Sequence, residues 1–224
     1  MRKERGFCPN MVSKSASGTL GANTIQEDFM GNIYCIMGKS SSGKDTIFKL
    51  LLEREDIDLH TIVSYTTRPI RSNERPGEEY NFVSEEEKDR LIAAGKVIEI
   101  RRYDTVHGPW YYFTVDDGEI DLKNHDYLII GTVESFVKIR DYYGADVVKP
   151  IYIMVDDGVR LSRALERERS QEYPKYEEMC RRFLADQQDF SEENITKAGI
   201  TNIFNNDEDS KLTCDRIAVY ISGE

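Results

Sequence analysis

Past residue 30 the chain alternates between short apolar runs and longer stretches in which apolar residues recur every three or four positions. The first run, residues 32–37 (NIYCIM), is uniformly apolar and β-leaning, which predicts a buried strand. Residues 46–53 (TIFKLLLE) then set Ile47, Leu50 and Leu51 on one side of a 3.6-residue period, which predicts an amphipathic helix. Further apolar runs at residues 61–65, 127–130, 150–155 and 201–204 alternate with helical patterns at 133–143, 158–169, 175–189 and 210–221. Strands separated by helices point to an α/β fold, a parallel sheet flanked by helices.

Residues 64–114 break the rhythm. They hold Arg, Tyr and Gly in close succession, then a predicted short helix at 84–94 and strand-like pieces at 97–103 and 110–114. This stretch reads as a small inserted lobe of mixed α+β structure. Farther on, Tyr173-Pro174 interrupts a strongly charged helical stretch, because proline cannot continue a helix past its first turn, and residues of about 163–182 read as a helical lid. The expected layout is a core of 31–63 and 115–222, a lobe of 64–114, and a disordered leader of 1–30 ahead of them. Met30-Gly31 directly precedes the first strand, where a natural start would stand.

Composition narrows the classes. The 224 residues are enough for one well-cored domain with an insertion, and 39% hydrophobic with 32% charged residues is a soluble globular mix. The longest apolar runs fall short of the roughly 20 residues of a membrane span, so no membrane role is expected. A formal net charge of -11 disfavours nucleic acid, whose backbone is held by lysine and arginine, and leaves room only for a local anion site. Cys8, Cys35, Cys180 and Cys214 lack metal or redox spacing, which suits a reduced, cytoplasmic setting. His60, His107 and His125 show no ligand spacing in the sequence either.

The sharpest local signal is G-K-S-S-S-G-K at residues 38–44, after a predicted strand and before a predicted helix. Gly38 and Gly43 let the backbone of Ser40, Ser41 and Ser42 wrap an anion with its N–H groups. Lys44 supplies a point charge, and the helix beginning near Asp45 offers its positive end. This is the phosphate loop of a P-loop NTPase-type sheet, with ATP as the expected ligand. The residue after the lysine, usually Ser or Thr, is Asp45; it and Thr46 are the candidate Mg²⁺ donors, since Mg²⁺ favours oxygen ligands. Asp45 equally suits the first turn of any helix.

Residues 64–82 read S-Y-T-T-R-P-I-R-S-N-E-R-P-G-E-E-Y-N-F. Arg68 and Arg71, three apart, form a fork for a dianionic phosphate, and the hydroxyls of Ser64 and Tyr80 complete its hydrogen bonding. Pro69 stiffens the segment and Gly77 permits the turn that returns Tyr80 toward the arginines. With the phosphate loop and the order of elements, this segment resembles the guanylate kinase family over roughly residues 31–222. The resemblance implies that Ser64, Arg68, Arg71 and Tyr80 hold the phosphate of GMP, and that Glu99 reads the guanine edge. A carboxylate fits that task by accepting from both the ring N–H and the exocyclic amine. It also implies a phosphate contact from Tyr112 and a base contact from Thr114, although Phe113 stands where the family usually has Gly. Guanylate kinases usually carry aspartates after the strand at 127–130; here Thr132 and Glu134 are the nearest polar substitutes, and Glu134 is the candidate GMP contact.

Phosphoryl transfer spreads charge over the transferred oxygens, so arginines are expected to close over it beside Lys44. The family has functional arginines in the lid and in the helix after it, where this chain offers Arg167 or Arg169 and Arg181 or Arg182; Arg169 and Arg182 are chosen. Asn205, after the last predicted strand, stands in the family's adenine-contacting turn, where a plain Asn-rich turn fits equally. The implied activity is Mg²⁺-dependent transfer from ATP to GMP, with dGMP as a further acceptor, in purine nucleotide metabolism. Two other readings carry weight. The G-K-D-T ending also resembles the ribose-bisphosphate phosphokinase branch, against which Arg71, Glu74, Gly77 and Tyr80 speak. Guanylate-kinase-like scaffold modules bind peptides without catalysis, but typically lack a working phosphate loop such as one carrying Lys44.

Overall fold

A computed structural model describes residues 30–223 apart from 72–73 and 106–107. The expected leader, except for Met30, and His107 lie outside the described residues. The core is a five-stranded sheet of order β2-β7-β1-β8-β9, in which every pairing is parallel. Its strands are β1 (Ile33–Met37), β2 (Leu59–Thr61), β7 (Asp126–Ile130), β8 (Val148–Met154) and β9 (Ile203–Asn205). A second sheet, of order β4-β3-β6-β5, is built from β3 (Tyr65–Thr66), β4 (Asn81–Phe82), β5 (Val97–Thr105) and β6 (Gly108–Val115).

Alternation along β1 explains the layering. Ile33, Cys35 and Met37 face one apolar cluster together with Ile129, Phe136, Ile139 and Tyr152. Tyr34 and Ile36 face the other, with Ile47, Leu51, Ile151 and Ile217. Successive side chains leave a strand on opposite faces, so a uniformly apolar strand is one covered on both sides, as parallel sheets are. One cover is α1 (Lys44–Leu52) and α7 (Ser210–Ser222); the other includes α3 (Val133–Tyr143). The remaining helices are α2 (Glu85–Ala93), α4 (Asp157–Arg169), α5 (Tyr176–Asp189) and α6 (Glu192–Lys197).

Helix starts follow local chemistry. Ser84 caps α2 by accepting from the Glu87 N–H at 3.2 Å, with Glu85, Glu86 and Glu87 complementing the dipole. Thr132 and Ser135 cap α3 reciprocally. Between α4 and α5 the buried Glu168 accepts from the Lys175 N–H at 2.9 Å and pins the turn that carries Pro174.

Two expectations need correction. The run at 61–65 is not one strand: β2 ends at Thr61, β3 begins at Tyr65, and residues 62–64 cross between the sheets. Ile62 is buried in the core and Thr66 within the second sheet, so one apolar run serves two hydrophobic faces and its pattern does not reveal the break. Helix α6 has no counterpart in the sequence reading, although Ser191 followed by Glu192 and Glu193 is a cap signal, and Ser191 accepts from the Asn194 N–H. Among the described residues no helix is long and apolar enough to cross a membrane.

Candidate active site

The loop from Gly38 to Gly43 leaves the C-terminal end of β1 and enters α1 at Lys44. The backbone is bent tightly: Ser41 has φ 63° and Gly43 φ 83°. A Cβ at Gly38 would meet Ser42 Oγ at 2.7 Å and Ile153 O at 2.8 Å, and one at Gly43 would meet Asn206 Nδ2 at 2.5 Å, so neither position admits a side chain. Gly43 provides no side-chain cap, which leaves the first N–H groups of α1 to an outside acceptor. The Ser41 and Ser42 hydroxyls are buried without a partner. A glycine-bounded cradle with orphaned donors fits a phosphate chain. Lys44 is mostly buried, 3.5 Å from an Asp45 that is 74% exposed. Asp45 and the exposed Thr46 are oxygen donors suited to Mg²⁺.

Helices α4 and α5 lie directly on this loop. Arg182 Nη2 donates to Ser40 Oγ at 3.1 Å, and Asp186 Oδ2 accepts from the Ser40 N–H at 2.7 Å. Arg160, fully buried, donates from Nε to Ser40 O at 3.0 Å and from Nη2 to Asp186 Oδ2 at 2.9 Å, and its guanidinium stacks over the Phe183 ring. Lys39 donates to Gln187 Oε1, and Gln187 in turn donates to Asp157. Arg167, Arg182, Ser40 and Ser41 line one hollow beside the loop. Arg169, the sequence choice in the lid, stands exposed at the last turn of α4 and does not line that hollow. Arg181 is spent on Glu178, 2.7 Å away on the surface.

Across the cleft the second sheet gathers aromatic and charged groups. Arg68 is 3% exposed; its Nη1 and Nη2 make a two-pronged pair with Glu74 at 2.7 and 2.6 Å, and its Nε is buried without a partner. The guanidinium lies 5.1 Å from the Tyr80 ring centroid and 5.3 Å from that of Phe82. Arg71 is 65% exposed, 3.9 Å from Glu74. Tyr80 meets Tyr112 edge-on at 5.5 Å. Burial and then the Tyr112 phenol raise the Tyr80 pKa; Arg68 and Arg101 pull it down, and Asp45 of the loop adds to the rise. The loop leaves the C-terminal end of β1 and the second sheet is reached from the C-terminal end of the parallel β2, so both lie at the same edge of the core sheet. Ser64 is buried at the crossing between the sheets.

Glu99 and Thr114 are opposite one another on β5 and β6, and the Thr114 hydroxyl donates to Glu99 Oε1 at 2.9 Å. Arg101 adds two bonds to the same carboxylate, from Nε at 3.0 Å and Nη2 at 3.1 Å. Burial disfavours the charged Arg101, but Glu99 more than offsets this and its pKa is raised. Three of the carboxylate's about four acceptor positions are therefore filled, and one on Oε2 is open. Phe113 is fully buried and stacks on Tyr65 at 5.5 Å, on the face opposite Tyr112 and Thr114. The departure from glycine is thus absorbed behind the sheet.

Three sequence candidates sit in ordinary structural roles. Glu134 is exposed in the first turn of α3 and pairs with Lys138 at 2.7 Å. Thr132 is the cap. Asn205 turns back on Asp207, its Nδ2 donating to Oδ2 at 2.7 Å, while its neighbour Asn206 is the one that reaches the loop, donating from Nδ2 to Ser42 O at 2.8 Å. Arg101, Arg160, Glu74, Asp186 and Asn206 are residues the sequence reading did not single out for the site. Glu74 lies within the segment of residues 64–82, Arg101 two residues past Glu99 and Asn206 beside the chosen Asn205, whereas Arg160 and Asp186 stand in helices that the sequence marks only by their period.

The guanylate kinase family model matches residues 30–115. Among curated relatives, the guanylate kinase of Porphyromonas gingivalis is 34% identical over 127 residues, 56% of this chain and 65% of that protein. The guanylate kinase of Thermotoga maritima is 35% identical over 121 residues, 54% of this chain and 47% of that protein. The chain thus spans less than two thirds of the length of these relatives. Among solved structures, guanylate kinase from Anaplasma phagocytophilum matches with a TM-score of 0.59 at 25% identity, over 88% of this chain and 87% of that one.

Proposed function

We propose, for a chain that belongs to the guanylate kinase family through residues 30–115, that it transfers the terminal phosphoryl group of Mg²⁺-ATP to GMP, and to dGMP, forming the diphosphate. The observation that carries this reading is the placement of two polar sites at the same edge of the core sheet: a glycine-bounded loop with unpartnered serine hydroxyls, and a second sheet whose buried Glu99 is held by Arg101 and Thr114. The division into core, lobe of 64–114 and lid of 163–182 belongs to the same reading. So does a role in cytoplasmic purine nucleotide metabolism, which the free thiols of Cys35, Cys180 and Cys214 support as a reducing setting.

In this mechanism the N–H groups at the start of α1, with Ser41 and Ser42, hold the donor phosphates and Lys44 follows the moving charge. Asp45 and Thr46 would hold Mg²⁺, which supplies charge neutralisation between the outer phosphates. Arg68, clamped by Glu74, is a fixed cation at the floor of the acceptor site; Arg71, exposed and only loosely paired with Glu74, closes on the acceptor phosphate with Ser64, Tyr80 and Tyr112. Glu99, whose side chain is fully buried under Arg101 and Thr114, takes the guanine N–H groups once Arg101 yields its bonds. Adenine presents no such pair of N–H groups. Arg182 and Arg167, facing Ser40 and Ser41, stabilise the transferring group. Closure of lobe and lid keeps water from accepting it.

The test is ADP release from ATP with GMP, dGMP, AMP or ribose 1,5-bisphosphate offered separately. Turnover with GMP and dGMP and none with AMP is expected; absence of GMP-dependent release sinks the proposal. Turnover with ribose 1,5-bisphosphate alone selects the sugar-phosphate kinase reading, and GMP binding without turnover selects a binding module.

A further inference from the structure

At the end of the core sheet opposite the phosphate loop, Asp58, His60 and His125 converge. The parallel register pairs Leu59 with Asp126 and His60 with Tyr127, so one step back sets Asp58 beside His125. Two-residue periodicity puts Asp58 and His60 on the same side of the chain. The result is compact: His60 Nε2 lies 3.7 Å from Asp58 Oδ1, and His125 Nδ1 lies 3.4 Å from Asp58 Oδ2. The two imidazoles pack with centroids 4.0 Å apart and their planes tilted by 36°. One ligand atom from each of the three residues falls within 4.8 Å of the other two.

We propose that these three residues form a binding site for a divalent transition cation, Zn²⁺ by its chemistry. Two imidazoles and a carboxylate are a zinc donor set, with a fourth position left to water, whereas Mg²⁺ and Ca²⁺ prefer all-oxygen sites. Ligands about 2.1 Å from the ion in a tetrahedron stand about 3.4 Å apart, close to both distances from Asp58. The side chains of Asp58, His60 and His125 are 77%, 46% and 35% exposed, so small rotations suffice to close the remaining gap and the site is open to solvent. Asp121 lies near enough to feel His125, and the chain as a whole carries -11, so the local and overall fields both draw cations. An ion there bridges edge strand β2 to the start of β7, and ligand that binds only the folded state raises its stability.

The test uses the full chain carrying Cys180→Ser, which removes an exposed competing thiol, in metal-free buffer without nucleotide. Titration with ZnCl₂ in a calorimeter is expected to show an equivalent of Zn²⁺ that disappears in His60→Gln/His125→Gln, and each single variant is expected to weaken it by roughly tenfold or more. Asp58→Asn, which keeps both rings, serves as an independent variant and is expected to weaken binding too. Saturating Zn²⁺ raises the thermal midpoint of the parent and leaves that of the double variant unmoved. Parent-like Zn²⁺ affinity in the double variant, or none in the parent, overturns the proposal.

Discussion

Lys44 is 18% exposed and begins α1 after a loop that no side chain caps, so its ammonium is held beside the free N–H groups of that helix start. Lys44→Ala is expected to lower kcat at least about a hundredfold, while the Kd for GMP, set across the cleft, stays within about twofold; equal turnover by the variant would remove Lys44 from the chemistry. The lid arginines separate by position. All three are exposed, but Arg167 lines a hollow with Arg182 and Ser40 and Arg169 does not. Steady-state kinetics should therefore show Arg167→Ala losing roughly a hundredfold in kcat and Arg169→Ala losing little. Spacing alone favours neither arginine, because neighbours two apart on a helix diverge by more than half a turn and either can face inward.

Between β3 and β4, turn hydrogen bonds such as Glu74 N–H to Arg71 O at 3.1 Å are joined by one buried ion pair, Arg68 with Glu74. Removing Glu74 strands the Arg68 charge in an apolar setting, so Glu74→Ala is expected to destabilise the protein by about 3–5 kcal/mol, read by urea unfolding. The pH dependence has a definite sign. Arg68 holds the Glu74 carboxyl below its ordinary value of 4.5. A group depressed in the folded state contributes fully above its unfolded pKa, and the contribution is lost as pH falls through the folded value. The parent should thus lose stability below about pH 4.5 more steeply than Glu74→Gln, whose amide does not titrate; parallel curves would show that the pair contributes nothing. The P-loop and lid form a comparable unit through Arg160, whose three polar contacts join α4, α5 and the loop.

At the scale of the whole molecule, two-sided coverage of the sheet seals Cys35, whose thiol burial pushes up to about 12, and Cys214, also raised by burial, while Cys180 on α5 is exposed. Alkylation followed by peptide mass spectrometry is expected to modify Cys180 quickly in the native protein and Cys35 and Cys214 only on unfolding; rapid native labelling of Cys35 would contradict the sealed core. Contiguous features were legible in the residues alone: the helix periods, the uniformly apolar strands, the glycine-bracketed loop with Lys44, and the Arg-Tyr segment. Each is encoded by neighbours in the chain, where periodicity and turn chemistry act. Contacts between distant segments were not: Glu99 held by Thr114 across two strands, Arg160 of α4 on the backbone of Ser40, Asn206 rather than Asn205 on the loop, and Asp58 with His60 meeting His125 across two strands. Their proximity depends on strand register and helix packing, which bring together side chains that no local spacing relates.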